Sequence, residues 1–214
     1  CYVNPYNATV KVNNQNVSWI NNNKPADPTR TGYTFTGWSQ TSNDATNQER
    51  VYVAQWTPNS YSITYKDQGD VAFTGTHADG YPTSHTYGTA TTLKTATKTG
   101  YDFGGWFATK ECTGEALTSL GATAYTDGIT LYAKWTEKTY AVTFNNGGHG
   151  TVQVDGAEVA NGATASVNHF TTKPLSAKAS TGYTFAGWST TGSVTLGSTS
   201  DASTNIKATA VSGT

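Results

Sequence analysis

The chain of 214 residues sets 13 Lys or Arg against 14 Asp or Glu, a formal net charge of −1 with only 13% of residues charged. No more than two basic residues are neighbours, so nothing supplies the electrostatic footprint of a nucleic-acid binder; the longest apolar run, Val51 to Ala54, is far short of the roughly 20 residues a membrane helix needs. Methionine is absent while Thr, Ser, Asn, Gly and Tyr abound, a mix that fits secreted β-rich proteins better than cytosolic enzymes.

In chain order, Tyr6 to Val12 alternates apolar and polar residues and reads as a strand. Asparagine turn signals on either side of Val17 to Ile20 add a short second strand and make a hairpin. Lys24 to Arg30 contains two prolines and reads as an irregular lead. It runs into Thr31-Gly32-Tyr33-Thr34-Phe35-Thr36-Gly37-Trp38. A polar run to Arg50 is expected to form a loop or short helix, and Val51 to Trp56 closes the segment as a strand.

Tyr61 to Tyr65 then alternates cleanly, and a polar, glycine-rich excursion follows through Gly88. Glu111 to Leu120 is the best helix candidate, because Ala116, Leu117 and Leu120 share a face. Ile129 to Trp135 is the second closing strand. Tyr140 to Phe144 opens a third segment, and Gly150 to Val159 is the most legible hairpin, with Asp155-Gly156 suited to a two-residue turn. Ile206 to Ala210 closes it but places Ala210 where the earlier closes have Trp56 and Trp135.

The eight-residue signature beginning at Thr31 returns at Thr99 and at Thr181, after 68 and then 82 residues, with six of its eight positions identical in all copies. Repeats at such spacing mark whole modules. The expected boundaries are residues 1–57, 58–136 and 137–214, joined by four-residue connectors between a closing Trp and an opening Tyr. Within the signature, Tyr33 and Phe35 lie two apart on an extended strand and share a face. Strict alternation would send Trp38 to the other face, but Gly37 permits a bulge that shifts the register by one and returns the ring. The expected fold determinants are therefore Tyr33, Phe35, Gly37, Trp38 and Trp56, then Tyr101, Phe103, Gly105, Trp106 and Trp135, then Tyr183, Phe185, Gly187 and Trp188.

An opening Tyr-x-Ile-Thr-Tyr or Tyr-x-Val-Thr-Phe, a Lys-Pro-x-x-Pro-Thr lead, the signature, and the close Leu131-Tyr132-Ala133-Lys134-Trp135-Thr136 together resemble the Listeria/Bacteroides repeat, also called the internalin B-type B repeat. The third segment resembles its divergent form. The resemblance implies mainly β (α+β) architecture: three small β-grasp-like modules in an elongated row, each a mixed sheet with a short helical or irregular crossover. It also implies a tandem-repeat segment of a large bacterial surface protein and no enzyme activity.

Chemistry is sparse. His77, Asp79 and His85 fall within nine residues, but no fourth ligand or regular spacing accompanies them, so no metal or cofactor is expected. There is no Gly-x-Ser-x-Gly elbow for a nucleophile. Cys1 and Cys112 are compatible with a disulfide or with thiols. Trp19 and Phe107 lie outside the signature triplet and are the candidate exposed ligand contacts. The expected function is a non-enzymatic structural or adhesive segment at the bacterial cell surface or secreted, with copies of itself, a glycan or a host surface protein as partner.

Overall fold

A computed structural model describes residues 8–12, 15–19, 26–44, 46 and 49–210, without the side chains of 8–19 and 49–50. All its regular structure is β; among the described residues none is helical, and no helix is long and apolar enough to cross a membrane.

The first strands are β1 (Ala8–Val12), β2 (Gln15–Trp19), β3 (Tyr33–Asp44) and β4 (Glu49–Pro58). They form one sheet in the order β2-β1-β4-β3, with β1 antiparallel to β2 and parallel to β4. The strand signals at 8–12 and 17–19 are thus realised, while Tyr6 and Ile20 lie outside the described residues. The run after Trp38 is no helix: β3 continues through it to Asp44, paired with β4, and a second register shift between Gln40 and Ser42 absorbs its irregularity.

The second segment contributes β5 (Ser60–Asp67), β6 (Val71–Ala72), β7 (Thr76–His77), β8 (Ser84–Thr86), β9 (Thr91–Thr92), β10 (Ala96–Thr97), β11 (Tyr101–Phe107), β12 (Ser119–Leu120) and β13 (Ile129–Glu137). Its main sheet runs β11-β13-β5-β6, and β8 also pairs with β5. The strand order seen in the first sheet therefore recurs. Alternation along β13 buries Ile129, Leu131 and Ala133. The helix expected over 111–120 is absent; turns lead into the two-residue β12, because Cys112 and Gly114 take left-handed φ of 51° and 84° that interrupt any helical path.

The third segment supplies β14 (Thr139–Thr143), β15 (Gly150–Val154), β16 (Ala157–Val159), β17 (Thr164–Asn168), β18 (Lys173–Ala179), β19 (Val194–Leu196) and β20 (Ser203–Ala208). Among the described residues β14 pairs with β17 alone, and the remaining strands order as β16-β15-β18-β20-β19. The Asp155-Gly156 turn forms as read, with both residues at positive φ and Val154 opposite Ala157. The third signature forms no strand. The closing strand β20 has β18 on one edge and β19 on the other, so neither edge is open to residues 183–188.

By contacts the chain divides into two compact units: Cys1–Ala72 with Asp79–Lys94 and Trp106–Tyr132, and Phe73–Ala78 with Thr95–Gly105 and Ala133–Thr214. The core of the first includes Ile63, Leu93, Trp106, Phe107, Leu120 and Leu131. That of the second is built on Phe144, Val152, Val154, Val167, Leu175 and Ile206.

Candidate functional site

The signature is built around its bulge. Phe35 faces Trp56 and Gly37 faces Gln55 across β3 and β4, so Thr36 is an extra residue, and Gly37 absorbs the kink at φ 134°. The Trp38 ring returns to within 5.3 Å of Phe35, edge-on, and Trp56 approaches the same Phe at 5.6 Å. Gly105 and Gly187 hold the same position at positive φ. Phe103 meets Trp135 at 5.2 Å, and Phe185 meets Trp188 at 5.3 Å. Trp106 is the most deeply set, 2% exposed, with its Nε1 donating to the Lys94 carbonyl at 2.6 Å and its ring 4.7 Å from Tyr65. Burial, with the nearby Tyr81, pushes the Tyr65 phenol up to about 12, and its hydroxyl donates to the Pro82 carbonyl at 2.7 Å.

The turn that opens each of the first two signatures has a second use. In the first copy, the Asn59 amide of the connector donates to the Gly32 carbonyl at 2.9 Å, and the Asn59 carbonyl accepts from Tyr87 at 2.9 Å. The Tyr87 ring lies where a Gly32 side chain would stand and meets Tyr33 edge-on at 5.5 Å. In the second copy, the Lys138 amide donates to Gly100 at 2.9 Å and its carbonyl accepts from His169 at 3.0 Å. His169 and Phe170 cover Gly100, and Phe170 lies 5.5 Å from Tyr101. One connector residue thus bonds backward to a signature glycine and forward to the turn after the strand that pairs with the next opening strand, and only glycine leaves room for the ring above it. A cation three residues before each tyrosine sits on its ring: Arg30 at 3.9 Å from Tyr33 and Lys98 at 4.5 Å from Tyr101.

Glu137 reinforces the second of these clasps. Its carboxylate accepts from the amides of Phe170 (2.5 Å) and Thr171 (2.7 Å), the Thr171 hydroxyl (2.7 Å) and the Asn168 side chain (3.5 Å). Burial acts to raise its pKa, but the hydrogen bonds from Thr171, Phe170 and Asn168 outweigh it and bring the group down to about 2. Nothing in the composition marks Tyr87, His169, Phe170 or Glu137; the four-residue spacing between closing Trp and opening Tyr marks only the connectors that they hold.

The third signature departs from the other two. Tyr183 is 53% exposed, and its ring stacks on His149 at 4.1 Å. Tyr183, Phe185, Gly187 and Trp188 line a groove of about 310 Å³ with His149 and Asn146, while Trp188 also packs against the core of the second unit. Trp188 is fixed by loop carbonyls, its amide donating to Thr199 at 2.7 Å and its Nε1 to Asp201 at 2.9 Å. A second groove of about 380 Å³, also lined by Trp188, is bordered by Ala210, where the other closes carry Trp.

Of the expected ligand contacts, Phe107 is 4% exposed. It belongs to the core and offers no outward face, because it ends β11 beside the equally buried Trp106. Trp19 ends β2, and its side chain lies outside the described residues. Cys1 also lies outside them; Cys112 is buried, its sulfur 3.8 Å from the Tyr132 carbonyl. His77 stacks on Phe73 at 4.3 Å, and burial lowers its pKa. His85 is fully buried, its Nδ1 2.8 Å from the Thr91 hydroxyl. Among the described residues no three His, Cys, Asp or Glu side chains converge on a point that would hold a metal ion.

The chain matches the Listeria-Bacteroides repeat domain over residues 6–55 and 61–134, and the divergent InlB B-repeat domain over 140–214. It is similar, at 28% identity over 143 residues, to a protein of Evansella cellulosilytica described as a Gly-rich membrane protein. That alignment covers 62% of this chain and 16% of the relative's length. The two repeat matches together take in nearly the whole sequence and meet at the connectors described above, so the chain belongs to the Listeria-Bacteroides repeat family, with a third repeat of the divergent InlB B-repeat form.

Proposed function

We propose that this chain is a non-enzymatic structural or adhesive tandem-repeat segment of a bacterial cell-surface or secreted protein, serving as stalk, spacer or subunit of an extracellular assembly. Its modules are residues 1–57, 58–136 and 137–214, each a variant of a β-grasp-like fold with an irregular crossover in place of a helix. The mixed first sheet, with its parallel central pair β1 and β4, supports that reading of the fold. The observation that carries the functional reading is the repeated backbone clasp at Asn59 and Lys138. A connector held from both sides by hydrogen bonds and a ring restrains adjacent repeats, which suits a spacer more than a flexible tether. The test is a binding survey of the purified chain against glycan arrays and host extracellular proteins, together with sedimentation over a wide concentration range. A spacer gives no saturable binding, an assembly subunit gives concentration-dependent growth, and saturable capture of a ligand by a monomer overturns both.

A second reading, a glycan-binding module, is favoured by one feature. The groove on the third repeat presents Tyr183, Phe185 and Trp188 beside the polar His149 and Asn146, a pairing of aromatic faces and hydrogen-bonding groups that suits a sugar ring. On this reading Trp188→Ala abolishes glycan capture while Phe107→Ala acts only through stability.

A further inference from the structure

We propose that the turn Thr181-Gly182-Tyr183 is a docking surface for a further repeat module, in which the turn after the strand paired with its opening strand places an aromatic or imidazole ring over Gly182. Two equivalent turns in this chain are already used so. Gly32 and Gly100 are buried, and a side chain at either would collide with the covering residue: Tyr87 over Gly32, and His169 and Phe170, both at 2.6 Å, over Gly100. Each of those glycine carbonyls accepts a connector amide at 2.9 Å.

Gly182 keeps the same backbone shape, with φ 85° against 76° at the other two, yet it is exposed and nothing lies within 4 Å of where its side chain would begin. The positive φ favours glycine whatever the space, and the third repeat leaves the position above it open, room that a covering ring fills at the other two. Tyr183 completes the surface. Its outward ring has the place of Tyr33 and Tyr101, which meet the rings of Tyr87 and Phe170, each at 5.5 Å. His149 stacks on it at 4.1 Å, much as Arg30 and Lys98 lie on the other two tyrosines, so the ring is held in place before any partner arrives. The occupant is therefore a module of this same type, joined through a short connector, and it is recognised by shape, ring contact and one backbone hydrogen bond. The proposal stands apart from whether the segment acts as spacer, adhesive or assembly subunit.

The test extends the chain from Ala210 by a further copy of residues 57–136, bringing a second Tyr87, or by a further copy of residues 136–210, bringing a second His169-Phe170 pair. The rate of nitration at Tyr183 is read by peptide mass spectrometry, with the unextended chain as reference. Docking lowers that rate roughly fivefold or more in at least one extension, since a covered ring reacts only in its open state. Gly182→Asn, a residue that tolerates this φ, restores the rate in the extended chain and leaves it unchanged in the unextended one. Equal nitration of Tyr183 in the reference and in both extensions overturns the proposal, as does protection that survives Gly182→Asn.

Discussion

Glu137 gathers four donors from the turn at residues 168–171. Its folded pKa of about 2 lies below the ordinary 4.5, so the carboxylate stabilises the fold fully above about pH 4.5 and that contribution is lost as pH falls towards 2. Allowing for solvent screening, the effect is about 1 to 2 kcal/mol. Glu137→Gln should lower the melting temperature at pH 7 and flatten the loss of stability between pH 4.5 and pH 2; an unchanged acid profile would remove Glu137 from the clasp. The signature glycines separate two costs in the same way. Gly182→Ala carries only the strain of a left-handed φ, about 1 kcal/mol, while Gly100→Ala adds collision with His169 and Phe170 and should cost about 2 to 4 kcal/mol by denaturant unfolding. The bulge at Gly37 was legible from the residues, because a strict alternation of Tyr33, Phe35 and Trp38 is impossible without it. The clasp residues were not, since Tyr87 and His169 acquire their role only from contacts distant in sequence.

Among the elements, those with strong alternation were legible: β5, β13 and the hairpin of β15 and β16 lie where the pattern puts them. Glu111 to Leu120 shows why a spacing argument fails in a chain rich in threonine and glycine. The helical spacing of Leu117 and Leu120 is real, but Leu117 instead bridges to Trp106 and Leu120 pairs in β12, each held by long-range contacts. Phe107 failed as a surface residue for a related reason: at the end of β11 two successive residues, Trp106 and Phe107, are both buried, so alternation leaves neither of them outside. Phe107→Ala should accordingly cost about 3 to 5 kcal/mol, measured by chemical denaturation, and a change under about 1 kcal/mol would contradict its place in the core. In the third repeat the signature keeps its sequence and loses its strand. Strand formation is decided by an open partner edge, and β20 has none to give.

At the scale of the whole molecule, family membership was legible because opening strand, signature, close and connector recur together, and the function attached to it is a proposal about how repeats are joined and presented. The glycan reading and the docking of a further module both call on Tyr183, so a covered Tyr183 weakens the first as it supports the second. The account rests on the claim that one residue of each connector is clasped between a signature glycine and the turn after the strand paired with the next opening strand. Residue-resolved hydrogen exchange tests it directly, by following the amides of Asn59, Tyr87, Lys138 and His169 in the intact chain. The account predicts that all four are protected to the level of the amides in β13 and β15; exchange at the rate of an unstructured peptide would contradict it.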